Sequence, residues 1–122
     1  MTFYAVKKSS ISGLGIFSSQ DLPSDFELGI MMNPVRNWEN IIDIEDPNKY
    51  YRGKFFERHN IYFRRFTLER FLNHNDDPNC ECYVINDSIF CKTIKGVIKD
   101  QELTVNYYDA RPIIWSLEEK LC

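Results

Sequence analysis

The sequence lacks any apolar run approaching 18 residues, so it offers no candidate for a membrane-spanning helix. Its first residues carry no charged-then-apolar leader, so a secretory signal is not expected. Glycine and proline are scarce, at five each among 122 residues, which excludes collagen-like and low-complexity chains. There are only two histidines, and four cysteines at Cys80, Cys82, Cys91 and Cys122. Cys80-x-Cys82 is too close for a structural zinc pair, which commonly has about two to four intervening residues, and neither His59 nor His74 completes a Cys/His spacing. No metal is expected. Reduced thiols in an intracellular compartment are expected instead. The net charge of −3 argues against general polyanion binding, so neither nucleic acid nor a membrane surface is the expected partner.

What is present suits one compact domain over residues 1–122. Hydrophobic residues make up 43% and charged residues 27%, which is too apolar for disorder. A domain of this size buries roughly two-thirds of its unfolded surface and needs no metal or disulfide to hold its core. The charge is unevenly placed. Residues 49–70 hold seven of the fifteen basic residues but only Glu57 and Glu69 as acids, leaving that segment about +5 and the remainder about −8. Aromatics from Tyr50 to Phe66 are interleaved with these charges. Such a stretch suits a nucleic acid or an anionic cofactor or peptide. It equally suits a solvated face above a core-facing aromatic stripe.

Short strands are predicted over Phe3–Val6, Ser12–Phe17 and Phe26–Met32, the last ended by Asn33-Pro34. From Trp38 to Asp46 acids and isoleucines alternate loosely. Thr67–Leu72 reads as a short helix capped by Thr67. Cys82–Ile85 and Ser88–Cys91 flank Asn86-Asp87, which predicts a hairpin. Thr93–Ile98 and Glu102–Tyr107 are further strand candidates. Ser116-Leu117-Glu118-Glu119 has the capping-box pattern for one or two helical turns. The sum is a mainly β fold.

Three segments carry chemistry. Gly13-Leu14-Gly15 suits a tight turn or a backbone that approaches a ligand closely. Arg70-Phe71-Leu72-Asn73-His74-Asn75-Asp76-Asp77-Pro78-Asn79 places an Asn-His pair after an apolar helix end. Burying that pair is costly unless its groups are bonded. The Asn73 amide can meet an adenine edge or an internal backbone partner. Glu102-Leu103-Thr104-Val105-Asn106-Tyr107 ends an apolar run with a tyrosine. Its hydroxyl can enter a pocket or sit at the protein–water boundary.

Together, in this order, the three segments resemble the Gly-x-Gly, Arg-Phe-x-Asn-His-Ser-x-x-Pro-Asn and Glu-Leu-Thr-x-x-Tyr signatures of the SET-domain protein-lysine methyltransferases. The resemblance runs from about Ala5 to Asp109, leaving a short tail. It implies several small curved sheets, a C-terminal pseudoknot and few short helices. It also implies methyl transfer from S-adenosyl-L-methionine to a lysine ε-amine of a protein or peptide. A histone is among the candidate substrates, and the location would then be cytoplasmic or nuclear. Tyr107 matches the catalytic phenol. Ser12, Gly13, Leu14, Gly15, Arg70, Phe71, Asn73, His74 and Tyr107 match the cofactor-binding positions. Trp115, on the tail, is the candidate to stack on adenine and close the site. Val105 stands where many members carry the aromatic that limits methyl count, and Tyr83 is a candidate for the substrate channel. Asn75 replaces the usual Ser and Asn106 the usual Asp. Asp76 replaces a zinc-ligand Cys, so the zinc that follows the domain in some members is not expected. Minimal members can pair, which allows a homodimer. The alternative is a catalytically weak SET-like module that binds a peptide or nucleic acid.

Overall fold

The computed structural model describes residues 3–35, 47–54 and 56–121. The stretch Trp38–Asp46 and Cys122 lie outside the described residues. Strand outweighs helix, 44% to 23%, so the fold is mainly β, as the sequence predicts. The elements run β1 (Tyr4–Lys8), β2 (Leu14–Ser18), β3 (Glu27–Val35), a 3-10 turn (Pro47–Lys49), β4 (Tyr50–Arg52), α1 (Phe56–His59) and β5 (Tyr62–Arg65). Then come α2 (Thr67–Phe71), β6 (Asn73–His74), β7 (Cys80–Ile85), β8 (Ser88–Thr93), β9 (Glu102–Val105) and α3 (Tyr107–Lys120). No described helix is long and apolar enough to cross a membrane.

The strands form two small sheets, ordered β1-β2-β9-β6 and β4-β5-β3-β8-β7. Helix α2 touches both, with Leu68 fully buried against β3. One core spans the whole: Ile16 and Leu103 come from the first sheet, and Met32, Phe63 and Ile89 from the second. Each such side chain contributes about 1.5–3 kcal/mol by leaving water. In the β7–β8 hairpin, Asn86 and Asp87 take φ of 48° and 65°, the paired left-handed turn that Asn and Asp tolerate.

Four expectations need correction. Strand β3 does not stop at Asn33-Pro34 but continues to Val35. Its pairing to β8 ends at Met32, so among the described residues Pro34 pairs with β5 alone and its missing N–H breaks no described ladder on the other side. Thr67 does not cap α2; Phe66 occupies that place without a side-chain cap bond. Thr93–Ile98 is not a strand. The Ile94 N–H goes to the Asn79 carbonyl (2.8 Å), and Val97 makes a lone bridge with Leu22. The tail is no one- or two-turn helix from Ser116. Helix α3 begins at Tyr107, where the Asn106 side chain accepts the Tyr108 N–H (2.9 Å), so β9 ends at Val105.

The arrangement that positions the site is the pairing of β6 with β9. It is parallel, with Asn73 opposite Thr104 and His74 opposite Val105. The chain between them makes the whole β7–β8 hairpin before returning. The Asn79 side chain extends the contact, donating to the Glu102 carbonyl (2.9 Å) and accepting the Thr104 N–H (2.8 Å). A buried asparagine here supplies the bonds that a further strand would give.

Candidate active site

Tyr107 opens α3 and is held at three points. Its N–H donates to His74 Nδ1 (2.9 Å), its hydroxyl donates to the Leu72 carbonyl (2.6 Å), and its ring lies 5.2 Å from the His74 ring. Because Nδ1 accepts a backbone N–H, the imidazole proton sits on Nε2, which bonds Asp76 Oδ1 at 2.7 Å. Burial pushes the Tyr107 phenol above its ordinary value of 10. The Glu69 carboxylate adds to this, against the opposing pull of Arg111 and Arg65. The phenol therefore keeps its proton and acts as a donor.

Beside this phenol lies a cavity of about 320 Å³. Buried Met31, Met32, Leu72 and Val105 line its interior, and the rings of Tyr51, Tyr107 and Trp115 border it. Arg65, Arg70 and Arg111 also line it, with Arg65 ion-paired to Glu69. Lys54 Nζ lies 3.6 Å above the Trp115 ring. Val105 and Ala110 also border a smaller cavity of about 120 Å³, lined on its other sides by Cys82, Asn106 and Asp109.

The remaining candidates fall into a second group. The Asn73 amide nitrogen is 3.1 Å from the Ser12 carbonyl, 3.2 Å from the Leu14 carbonyl and 2.9 Å from Glu102 Oε2. The amide nitrogen thus has internal partners in two backbone carbonyls and one carboxylate. Gly13 takes φ +44°, a left-handed conformation that glycine adopts without strain. Gly15 is buried against Glu102.

The structure thus brings Arg70, Val105, Tyr107 and Trp115 to one cavity, whereas Ser12, Gly13, Leu14 and Gly15 form a bend that the Asn73 amide holds and that lines neither cavity. His74 joins the two groups. Phe71 packs partly buried on the core, with the Arg70 guanidinium 5.3 Å from its ring. Tyr83 stands apart on β7, its ring 6.1 Å from that of Phe90 and 5.2 Å from Lys92 Nζ, and it lines neither cavity described above. Of Tyr50, Tyr51, Tyr62 and Phe63, the aromatics of the middle segment that could wall a lysine channel, Tyr51 lines the cavity, and so does Arg111. Tyr51 carries the signal of the basic, aromatic segment, whereas Arg111 carries none. Among the described residues no group of three His, Cys, Asp or Glu side chains is placed to hold a metal ion.

A mainly β fold with a parallel β6–β9 crossing, and a tyrosine fixed beside it at a cavity with an apolar interior, fits one class. The family model of the SET domain matches residues 13–108, so the chain belongs to the SET-domain family, whose members are protein-lysine methyltransferases. Among solved structures, a candidate histone methyltransferase of Plasmodium falciparum is similar, with a TM-score of 0.59 over 88% of this chain and 94% of that one. The two are 23% identical, so the likeness speaks for the fold alone. No curated protein matches the sequence.

Proposed function

We propose that the chain transfers a methyl group from S-adenosylmethionine to the ε-amine of a lysine in a protein or peptide. The observation that carries this reading is the meeting of Arg70, Val105, Tyr107 and Trp115 at one cavity, with the Tyr107 hydroxyl turned to the Leu72 carbonyl.

The residues fit the cofactor. The cavity falls within the roughly 300–1,000 Å³ typical of small-molecule sites. Guanidinium groups at Arg70 and Arg111 suit a carboxylate, while Arg65 is already paired with Glu69, which also lines the cavity. The faces of Tyr51, Tyr107 and Trp115 suit a sulfonium or a flat base. When bound, S-adenosylmethionine supplies an electrophilic methyl on a positively charged sulfur.

The chain's own residues contribute orientation and exclusion of water. Only a neutral amine has the lone pair to attack, and at pH near 7.4 deprotonating a lysine of ordinary pKa about 10.4 costs roughly 4 kcal/mol. Apolar Met31, Met32, Val105 and Ile114 lower that cost, because burial disfavours the charged amine. Tyr107 keeps its own proton, so the amine's proton leaves to water before attack. The Leu72 carbonyl offers a fixed acceptor for polarised C–H groups near the phenol. Holding nitrogen, methyl and sulfur in line is then an orientation effect worth up to about 7–11 kcal/mol.

The test is transfer of labelled methyl from S-adenosylmethionine to lysine-bearing protein in a cell extract, paired with calorimetry on S-adenosylhomocysteine. Binding and transfer are expected. Binding without transfer would reduce the protein to a binding module, and no binding would remove the methyltransferase reading.

A further inference from the structure

Three stretches of chain far apart in sequence meet at the Glu102 carboxylate, at the start of β9. Ser9 Oγ lies 2.7 Å from Oε1 and 2.9 Å from Oε2, and Asn73 Nδ2 donates to Oε2 at 2.9 Å. Ser9 Oγ also accepts the Ile11 N–H (2.9 Å), and the Ser9 N–H donates to the Gly13 carbonyl (2.8 Å). The bend from Ser9 to Gly15 is therefore closed on itself through Ser9 and fastened to β6 through Asn73. Gly15 is the position where this closure leaves no space. A Cβ there would stand 2.3 Å from Glu102 Oε2 and 3.1 Å from Ser9 Cβ.

The polarity of the network favours a carboxylate. A hydroxyl carries one hydrogen and an amide nitrogen two, and here both face the same group. An ionised carboxylate only accepts, so it can hold both donors, and charge-assisted bonds are about twice as strong as neutral ones. With Glu102 held, the Asn73 nitrogen stays where the Ser12 and Leu14 carbonyls converge on it. Its chain neighbours are the two residues that hold Tyr107: Leu72 accepts the hydroxyl and His74 the backbone N–H. The three consecutive residues Leu72, Asn73 and His74 therefore set both the bend and the phenol.

We propose that Ser9 and Glu102 are positioning residues for cofactor binding, acting through Asn73 to fix the Ser12–Gly15 bend. This rests on the methyltransferase reading above. The experiment measures S-adenosylhomocysteine affinity by calorimetry for the wild type, Ser9→Ala, Glu102→Gln and the double variant, with a thermal melt of each. Each single change is expected to weaken binding about tenfold. The double is expected to be little weaker than Glu102→Gln, because both act through the same bonds. A purely structural role would lower the melting temperature and leave the affinity of the folded protein alone. Wild-type affinity in folded Glu102→Gln and Ser9→Ala would overturn the proposal while the methyltransferase reading stands. If Glu102→Gln does not fold, Ser9→Ala decides by itself. A wild type that fails to bind would overturn both.

Discussion

Tyr107 and Val105 border the same cavity but do different things there, and single substitutions separate them. Tyr107→Phe removes only the donor to the Leu72 carbonyl. A hydrogen bond of this kind contributes about 0.5–1.5 kcal/mol net, so the variant stays folded and melts a few degrees lower. Misplacing reacting groups by a fraction of an ångström to an ångström costs on the order of a hundredfold, so turnover should fall at least that far. Labelled-methyl transfer measures the rate, and an unchanged rate would take Tyr107 out of the chemistry. Val105 is 3% exposed and borders both cavities. Val105→Phe fills space beside the phenol and is expected to shift the product toward fewer methyl groups per lysine. Intact-mass spectrometry reads that distribution, and an unaltered one would show that Val105 does not set it.

Helix α3 brings Tyr107 and Trp115 to the cavity from one element, and near its far end it buries a carboxylate. Glu118 is fully buried and lies against the turn after β4. A Cβ on Gly53 would stand 2.0 Å from Glu118 Oε2 and 2.8 Å from the Ile61 carbonyl. That carbonyl already accepts the Gly53 N–H (3.0 Å) and belongs to the backbone, so it cannot swing aside. Gly53→Ala should therefore destabilise by about 1–3 kcal/mol, the usual cost of overpacking. It should also loosen Trp115 from its neighbour Lys54. A melting temperature equal to wild type would show that the turn absorbs the methyl. Of these features the sequence announces only the local ones. The Asn86-Asp87 hairpin and α2 are legible because turn chemistry and helix periodicity act over a few residues. Helix α3 is hidden by Pro112, which lies inside it and reads as a breaker. The Asn79 bonds to β9 and the partners of Asn73 are hidden for another reason. They join residues 23 to 61 positions apart, and no local pattern encodes them. Tyr83 illustrates the same limit: its neighbours in the chain place it on a strand, but only the sheet order takes it away from the cavity.

At the scale of the whole molecule, chemistry and stability respond to alkali in opposite directions. The substrate amine gains its neutral form tenfold per pH unit below about 10.4, so the rate should climb from pH 7 wherever chemistry limits. The folded protein, however, holds protons that its unfolded chain gives up. Burial first, then the nearby Glu69 carboxylate, pushes the Cys82 thiol from its ordinary 9.0 to about 12. Cys91 is raised well above 9.0 by its bond with Cys80 and by burial, and Tyr4 and Tyr107 are raised above 10.0 chiefly by burial. Below pH 9 both states keep these thiol protons and the stability they represent is fully present. Between pH 9 and 12 the unfolded chain binds fewer protons than the folded one, so stability falls with rising pH. The slope is about 1.4 kcal/mol per pH unit for each proton the fold retains. Thermal melts from pH 7 to 11 should therefore be level to about pH 9 and then decline. Initial rates at a fixed moderate temperature should peak near the break. Cys82→Ala removes one retained proton and should make the alkaline decline shallower, even if its melting temperature at pH 7 is lower for lost packing. A melting temperature level to pH 11 in the wild type would mean that these thiols ionise in the fold as readily as in the open chain. The cause of any rate maximum would then have to lie in the active site instead.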